Sequence, residues 1–179
     1  MPLRPGAHTF GPENATLTVR TKRTGAASKA GHDLVIEVTS WSATFDPDAD
    51  PALTLTADSG SLRVVEGTGG IQALDEDDKA GIAQTIDEEV LRGTPIEFRS
   101  GAVELDADGG PRTVTGELEL AGRRRPISFE LVAGDDGRLF GTAVVRQTDW
   151  GIKPYTALFG TLRVADEVEV AVETRPHGA

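Results

Sequence analysis

Apolar residues recur at every second position along much of the chain. Between His32 and Thr39, the side chains of Leu34, Ile36 and Val38 fall on one face of an extended backbone. This period of two is typical of an antiparallel strand with one face buried and the other in contact with solvent. The same alternation is found at 53–56, 62–64, 96–99, 103–105, 117–120, 127–131 and 167–173.

Turn-forming residues separate these segments at intervals of about 8–12 residues. The turns contain Gly, Pro, Asp and Arg and are predicted at 46–48, 67–70, 108–111, 121–126 and 134–137. Short strands at this spacing indicate a β-sandwich or a β-barrel. The sequence therefore predicts an all-β, antiparallel fold of about eight strands in a single domain, 1–179.

One segment departs from the period of two. Ile82, Ile86 and Val90 recur at every fourth position, which is the apolar stripe of an amphipathic helix. Asp75 is a suitable N-cap, and the acidic residues that follow it favour the positive end of the helix dipole. The sequence therefore predicts one α-helix, 75–91, inserted into the β fold, with its apolar stripe covering an open end or side of the barrel.

The chain offers few groups for catalysis or metal binding. It contains no cysteine, which excludes disulfides, thiolate nucleophiles and thiolate metal sites. The histidines lack metal-ligand spacing, and the acidic residues lack the spacing of a calcium loop. His32 opens a strong strand, but Asp33 beside it points to the opposite face, so the two do not form a dyad. We therefore expect no metal, no cofactor and no catalytic residue.

The overall charge limits the partners of the chain. It has 18 Lys and Arg residues against 29 Asp and Glu residues, a formal net charge of −11. This charge repels phosphate backbones and anionic lipid headgroups, so nucleic acid is not expected as a partner. No apolar run approaches the ~18 residues of a membrane span, and none follows Met1. We expect a cytoplasmic protein without a stable membrane anchor.

The aromatic side chains do not show whether the interior of the barrel is filled or hollow. They are scattered over many segments, which fits either the packing of a core or the lining of a cavity. A barrel of about eight strands is just wide enough to be filled by side chains or to hold one small ligand. Periodicity alone does not choose between these two interiors.

Five segments, taken in order, carry a resemblance to a known family. They are Gly31–Leu34, the acidic helix before Pro95–Ser100, Thr113–Gly122 with Arg125–Phe129, Arg146–Ile152 and Val164–Val170. Together they resemble the YceI-like family of lipid- and polyisoprenoid-binding proteins, over roughly residues 8–173. Many relatives carry an Arg-Asp…His-Leu segment before the helix, where this chain reads Gly69–Leu74.

The resemblance implies an extended, lipocalin-like antiparallel barrel that binds a hydrophobic isoprenoid or fatty lipid and catalyses no reaction. We expect the ligand to contact His32 near the mouth and six aromatic residues inside. These six are Trp41, Phe45, Phe98, Phe129, Trp150 and Phe159. Two alternatives remain: a ligand-free interaction or stress-related structural protein with a packed barrel, and, with less support, an enzyme that uses His32. Homodimer formation is also left open.

Overall fold

The computed structural model describes residues 6–107, 111–136 and 138–175, and strands make up most of them. The strands are β1 (His8–Phe10), β2 (Ala15–Thr21), β3 (Arg23–Thr24), β4 (His32–Val38), β5 (Trp41–Phe45), β6 (Leu53–Ala57), β7 (Leu62–Gly69), β8 (Ile96–Leu105), β9 (Pro111–Leu120), β10 (Arg123–Ala133), β11 (Leu139–Arg146), β12 (Thr156–Ala157), β13 (Leu162–Val164) and β14 (Glu167–Thr174). The helix α1 (Glu76–Thr85) continues into a π-helical turn (Ile86–Val90). Single 3₁₀ turns lie at Ser28–Ala30, Ser59–Ser61, Gln147–Trp150 and Leu158–Gly160.

Eleven strands form one antiparallel sheet in the order β1-β5-β6-β8-β9-β10-β11-β14-β2-β4-β7. The sheet curls into a half-barrel. The remaining strands, β12, β13 and β3, form a small second sheet. The small sheet continues the chain beyond β2 and precedes β14, so it lies at one end of the curled sheet.

One bent ribbon connects the two ends of the large sheet. β4 leads into β5, and β6 leads into β7, through short bends that face each other. Thr39 donates its N–H to the Ser61 carbonyl at 2.9 Å, and Asp58 donates to the Ser40 carbonyl at 3.0 Å, so the pairing continues through the bend. In the strand order of the large sheet, β5 and β6 lie near one end, whereas β4 and β7 lie at the other end. The ribbon therefore forces the sheet to curl round an interior.

The predicted all-β class with one inserted helix is confirmed, but the predicted number of about eight strands is too low. One reason is that a bend divides each of the two long strands of the ribbon, one into β4 and β5 and the other into β6 and β7. β2 and β11 were not predicted, because threonines and small residues weaken their alternation: their inner faces include Thr21, Gly141 and Ala143. Sequence periodicity finds a strand only where its inner residues are large and apolar.

The predicted helix start is confirmed. The Asp75 carboxylate accepts the Asp78 N–H at 2.7 Å, and the Asp78 carboxylate accepts the Asp75 N–H at 3.1 Å. This reciprocal capping box satisfies two backbone donors that a helix end leaves unpaired. At the other end, Arg92 and Gly93 have left-handed φ angles of 57° and 64°, which terminate the helix before the next strand.

Two of the predicted turns are shorter than expected, because a flanking strand takes up part of each: only Gly70 of 67–70, and Ala121 and Gly122 of 121–126, lie outside a strand. Gly67–Gly69 completes β7, where the guanidinium of Arg23 packs against the backbone of Gly69. Arg123–Arg125 opens β10, and Arg124 forms an ion pair with Glu119 of β9 at 3.2 Å. In each case, the strand extends further into the predicted turn than the local sequence indicates.

Some of the sequence predictions cannot be compared with the structure. The centre of the turn predicted at 108–111 lies outside the described residues. Within the described ranges, no helix is long and apolar enough to cross a membrane.

Candidate functional site

The curled sheet encloses a cavity of about 1150 Å³. Its wall follows the alternation of the strands, since every second residue of a strand points to the interior. On β4 the inner residues are His32, Leu34, Ile36 and Val38, as the sequence predicts. Corresponding inner residues on other strands include Leu17, Leu53, Leu55, Phe98, Leu118, Ile127, Phe129, Val168 and Val170. The cavity is therefore lined mainly by apolar side chains.

The helix supplies one side of this wall. Ile82, Ile86 and Val90, the stripe identified in the sequence, all line the cavity. α1 packs beside β7, the last strand in the order of the large sheet. The expectation that the stripe covers part of the barrel is confirmed, and the stripe faces open space instead of a filled core.

Five of the seven side chains expected at the site lie together on the cavity wall. They are His32, Trp41, Phe45, Phe98 and Phe129. The rings of Phe98 and Phe129 contact each other at a centroid distance of 5.5 Å and an interplanar angle of 60°. This tilted geometry is favourable for aromatic pairs, so the two rings stabilise each other on the wall.

Trp150 and Phe159 are not among the residues that line the cavity. Trp150 is buried in the 3₁₀ turn after β11, where its indole N–H donates to the Leu118 carbonyl at 2.8 Å. Phe159 is fully exposed. Neither residue belongs to a strand, so the period of two gives no information about where its side chain points.

The two tryptophans differ in one polar contact. Trp150 Nε1 has a hydrogen-bond partner, whereas the buried Trp41 Nε1 has none. A buried donor without a partner has lost its hydrogen bonds to water without replacement. Trp150 therefore gains a hydrogen bond that Trp41 lacks.

This difference gives a testable expectation for stability. Trp150→Phe should lower the free energy of unfolding by about 1 kcal/mol more than Trp41→Phe, because only the first substitution removes a hydrogen bond, the one from the indole N–H to the Leu118 carbonyl. Urea denaturation followed by circular dichroism measures both values. Equal losses for the two variants would contradict the assigned hydrogen bonds.

The cavity opens at the end where β4 begins and β7 ends, which we call the mouth. The residues that line the cavity and are also exposed concentrate there. Ile71 and Tyr155, for example, both line the cavity and are 82% and 50% exposed. All the charged residues of the lining are found at the same end, together with His32 and Gln72: Arg23, Asp77, Asp78 and Arg163. A ligand with an apolar chain and a polar end would therefore enter chain first.

Arg23 organises the mouth. One of its terminal guanidinium nitrogens, Nη1, donates to the carbonyls of Gly31 and Thr68, each at 2.9 Å. Its backbone N–H donates to the Asp33 carboxylate at 2.8 Å. These bonds connect β3, β4 and β7, so Arg23 is a structural part of the rim. The sequence analysis missed it because its partners are backbone carbonyls from distant segments.

His32 holds the segment that follows β7. Its Nε2 lies 2.6 Å from the Gln72 carbonyl oxygen. A carbonyl can only accept a hydrogen bond, so Nε2 carries the proton and donates it. The ring also packs closely on Gly70, where a Cβ would lie 2.4 Å from Nε2. The role of His32 that the geometry supports is to position the 70–74 segment at the mouth.

The described residues contain no group of three or more His, Asp or Glu side chains placed to hold a metal ion. The acidic cluster at the start of α1 is occupied in part by the capping box of Asp75 and Asp78. Lys79 forms an ion pair with Glu76 of the same cluster at 3.4 Å. These contacts account for the cluster as a solvated helix start.

The chain was compared with known proteins by family, by sequence and by structure. A family model described as YceI-like domain matches residues 9–175. No curated protein matches the sequence significantly.

Solved structures of the same fold include proteins of two bacteria. BcnA of Burkholderia cenocepacia is 17% identical, with a TM-score of 0.60, and the match covers 89% of this chain and 94% of that protein. The YceI protein of Campylobacter jejuni is 14% identical, with a TM-score of 0.52, over 80% and 85% of the two chains. At these identities the likeness shows a shared fold. Because the family model spans nearly the whole chain, the protein belongs to the YceI-like family, a β-barrel family associated with the binding of hydrophobic ligands.

Proposed function

We propose that this protein binds and carries a long isoprenoid-like lipid in its cavity and catalyses no reaction on it. The observation that supports this most is the cavity itself, about 1150 Å³ of space lined by alternating apolar residues of the sheet and the helix stripe. Pockets for small molecules usually measure ~300–1,000 Å³, so this one has room for an extended ligand. A barrel packed with its own side chains, the alternative left open by periodicity, does not fit this cavity.

The energetics favour a long apolar chain over a short polar one. Burial of one five-carbon isoprene unit contributes roughly 3–4 kcal/mol, at ~0.8 kcal/mol per carbon. Association costs roughly 4–15 kcal/mol of lost freedom. A few buried units offset this cost without any ion pair or metal, which agrees with the apolar wall. A linear fatty chain would gain similar energy per carbon, and competition between isoprenoid and fatty chains of matched length distinguishes the two.

An enzymatic role for His32 has less support. A general base needs an unprotonated nitrogen within reach of substrate. His32 Nε2 donates to the Gln72 carbonyl and holds the mouth segment, so only Nδ1 would be left to act as a base, and the role that the geometry supports is structural. His32→Ala is expected to loosen the mouth and weaken lipid retention. This effect follows from the lost contact with Gln72 and requires no catalytic role for His32.

The two tryptophans provide a direct test of lipid binding. The chain has two tryptophans: Trp41 lines the cavity and Trp150 does not. In Trp150→Phe the remaining Trp41 should be strongly quenched when a bromine-labelled long-chain lipid is added. In the matched variant Trp41→Phe, the remaining Trp150 should respond weakly, because it does not line the cavity.

Saturable quenching in the first variant and a much smaller response in the second would support the proposal. Competition by unlabelled polyprenols and fatty acids of increasing length then identifies the preferred chain. Organic extraction of the purified protein followed by mass spectrometry should recover a bound lipid. A protein that is empty after purification and shows no saturable quenching with any of these lipids would overturn the proposal.

A further inference from the structure

Two segments beside the mouth, 22–31 and 151–164, pack together and form what we call the basic lip. β13 pairs with β3, and the Ala27 N–H donates to the Thr161 carbonyl at 2.8 Å. Tyr155 and Arg163, both in the second segment, also line the cavity. The lip is therefore one packed unit that borders the mouth.

The lip has a charge opposite to that of the chain as a whole. It contains five cationic residues and no acidic residue, in a protein whose formal net charge is −11. The five are Lys22, Arg23, Lys29, Lys153 and Arg163. All except Arg23 are exposed, and three of the four lysines of the chain are among them. The repulsion of anionic lipid expected from net charge does not apply to this surface.

The lip also presents large apolar side chains to solvent. Phe159 and Leu158 are 109% and 53% exposed. Both have left-handed φ angles, 56° and 50°, which non-glycine residues adopt rarely. The turn is fixed in this shape because Thr161 Oγ1 donates to the Leu158 carbonyl and Arg163 Nε donates to the Gly160 carbonyl at 2.7 Å. The backbone therefore holds Phe159 away from the protein.

We propose that the basic lip is a docking surface for an anionic lipid membrane, with Phe159 and Leu158 entering the interface. Exposed apolar side chains next to Lys and Arg are the composition of interfacial membrane anchors. Docking places the mouth against the bilayer, so that an apolar chain passes into the cavity without crossing water. The purpose of docking rests on the proposed function, but docking itself requires no cargo.

Another part of the mouth has the opposite charge. Asp77 and Asp78 line the cavity at the start of α1, next to Asp75 and Glu76. An anionic membrane attracts the lip and repels this helix start, so the protein docks tilted, with the lip in contact. Attraction by a few cations against a net charge of −11 makes docking weak and reversible.

Vesicle flotation of the purified full chain tests the proposal. We expect binding to vesicles of phosphatidylcholine and phosphatidylglycerol, little binding to phosphatidylcholine alone, and release at high salt. Phe159→Ala should weaken binding by about ten-fold or more, from the loss of one buried aromatic side chain. Phe140→Ala is the matched control, because Phe140 is also an exposed phenylalanine but lies on β11, outside the lip.

Charge variants test the electrostatic part separately. Lys153→Gln should weaken binding by about five-fold, the contribution of one basic residue near an anionic surface. Arg63→Gln removes the same charge at an exposed position of β7 and should have no effect. Arg63 lies six residues before the end of β7, roughly 20 Å from the mouth at ~3.3 Å per residue. Asp77→Asn should strengthen binding.

The outcomes separate this inference from the proposed function. Failure of the wild type to bind anionic vesicles, or equal losses for Phe159→Ala and Phe140→Ala, overturns docking even when Trp41 quenching shows that lipid binds the cavity. If Phe159→Ala instead converts a dimer into a monomer in analytical ultracentrifugation and no vesicle binding is seen, the lip is a self-association surface and the inference is wrong. Flotation without any lipid in the cavity supports docking alone.

Discussion

Replacement of Ala143 by phenylalanine should lower the affinity for a long-chain lipid by more than about 100-fold. Ala143 lies on the inner face of β11, lines the cavity and is only partly buried, so its methyl group borders open space. A phenyl ring there takes up the room of roughly one isoprene unit, whose burial contributes ~3–4 kcal/mol. Titration of lipid into the Ala143→Phe variant, read from Trp41 fluorescence, measures the loss.

The stability of the Ala143→Phe variant shows whether the new ring blocks the cavity or disrupts the fold. In the space that the cavity provides, the new ring buries apolar surface, so the free energy of unfolding should stay the same or rise. Ala102→Phe is the control, since Ala102 is exposed on β8 next to the bulge and does not line the cavity. Unchanged lipid affinity in a folded Ala143→Phe variant would show that the ligand binds elsewhere.

Gly116→Ala should destabilise the fold by about 3 kcal/mol or more, which for a chain of this length lowers the melting temperature by about 6–12 °C. Gly116 is buried in β9, opposite the bulge of β8. A Cβ there would lie 2.2 Å from the Arg99 carbonyl oxygen and 2.8 Å from Ser100 Cα. These are backbone atoms of a paired strand, so relief requires the two strands to separate.

The neighbouring Gly101 provides the matched control. It lies at the bulge in β8, and a Cβ there would find its nearest neighbour, the Thr115 carbonyl oxygen, at 3.9 Å. Gly101→Ala should therefore be neutral or stabilising by a few tenths of a kcal/mol, because it removes the excess chain freedom of glycine. Thermal denaturation of both variants tests the comparison. A Gly116→Ala variant as stable as Gly101→Ala would contradict the close approach of β8 and β9.

Sequence alone predicted much of the cavity wall. The inner residues Leu34, Ile36 and Val38 were identified correctly because a strand alternates its side chains strictly, and the helix stripe because α-helical periodicity is equally local. A different reason led to the aromatic residues of the wall, because the resemblance to the family implied an interior lined for a ligand. These residues are Trp41, Phe45, Phe98 and Phe129. Their contact with a ligand stays a prediction.

The residues that sequence misplaced are held by long-range contacts. Trp150 turns towards the carbonyl of Leu118, which is 32 positions away in the chain. Gly69 ends β7 with a left-handed φ of 81°, and the guanidinium of Arg23 packs against it. Phe159 faces solvent because a pair of left-handed residues forms the turn. None of these arrangements leaves a periodic signal, so a reading of local pattern does not detect them.

The sequence by itself determined which face turns inward on strands such as β4, where large apolar residues alternate with polar ones, since that depends only on neighbouring residues. The tertiary structure decided that the interior is hollow. The volume enclosed by a curled sheet depends on how many strands it has and where its ribbon bends, and here eleven strands and the bend between β4 and β5 leave more space than the inner side chains fill. The basic lip also depends on the tertiary structure. Its two segments are more than 100 residues apart in the chain and become one surface only when β3 and β13 pair.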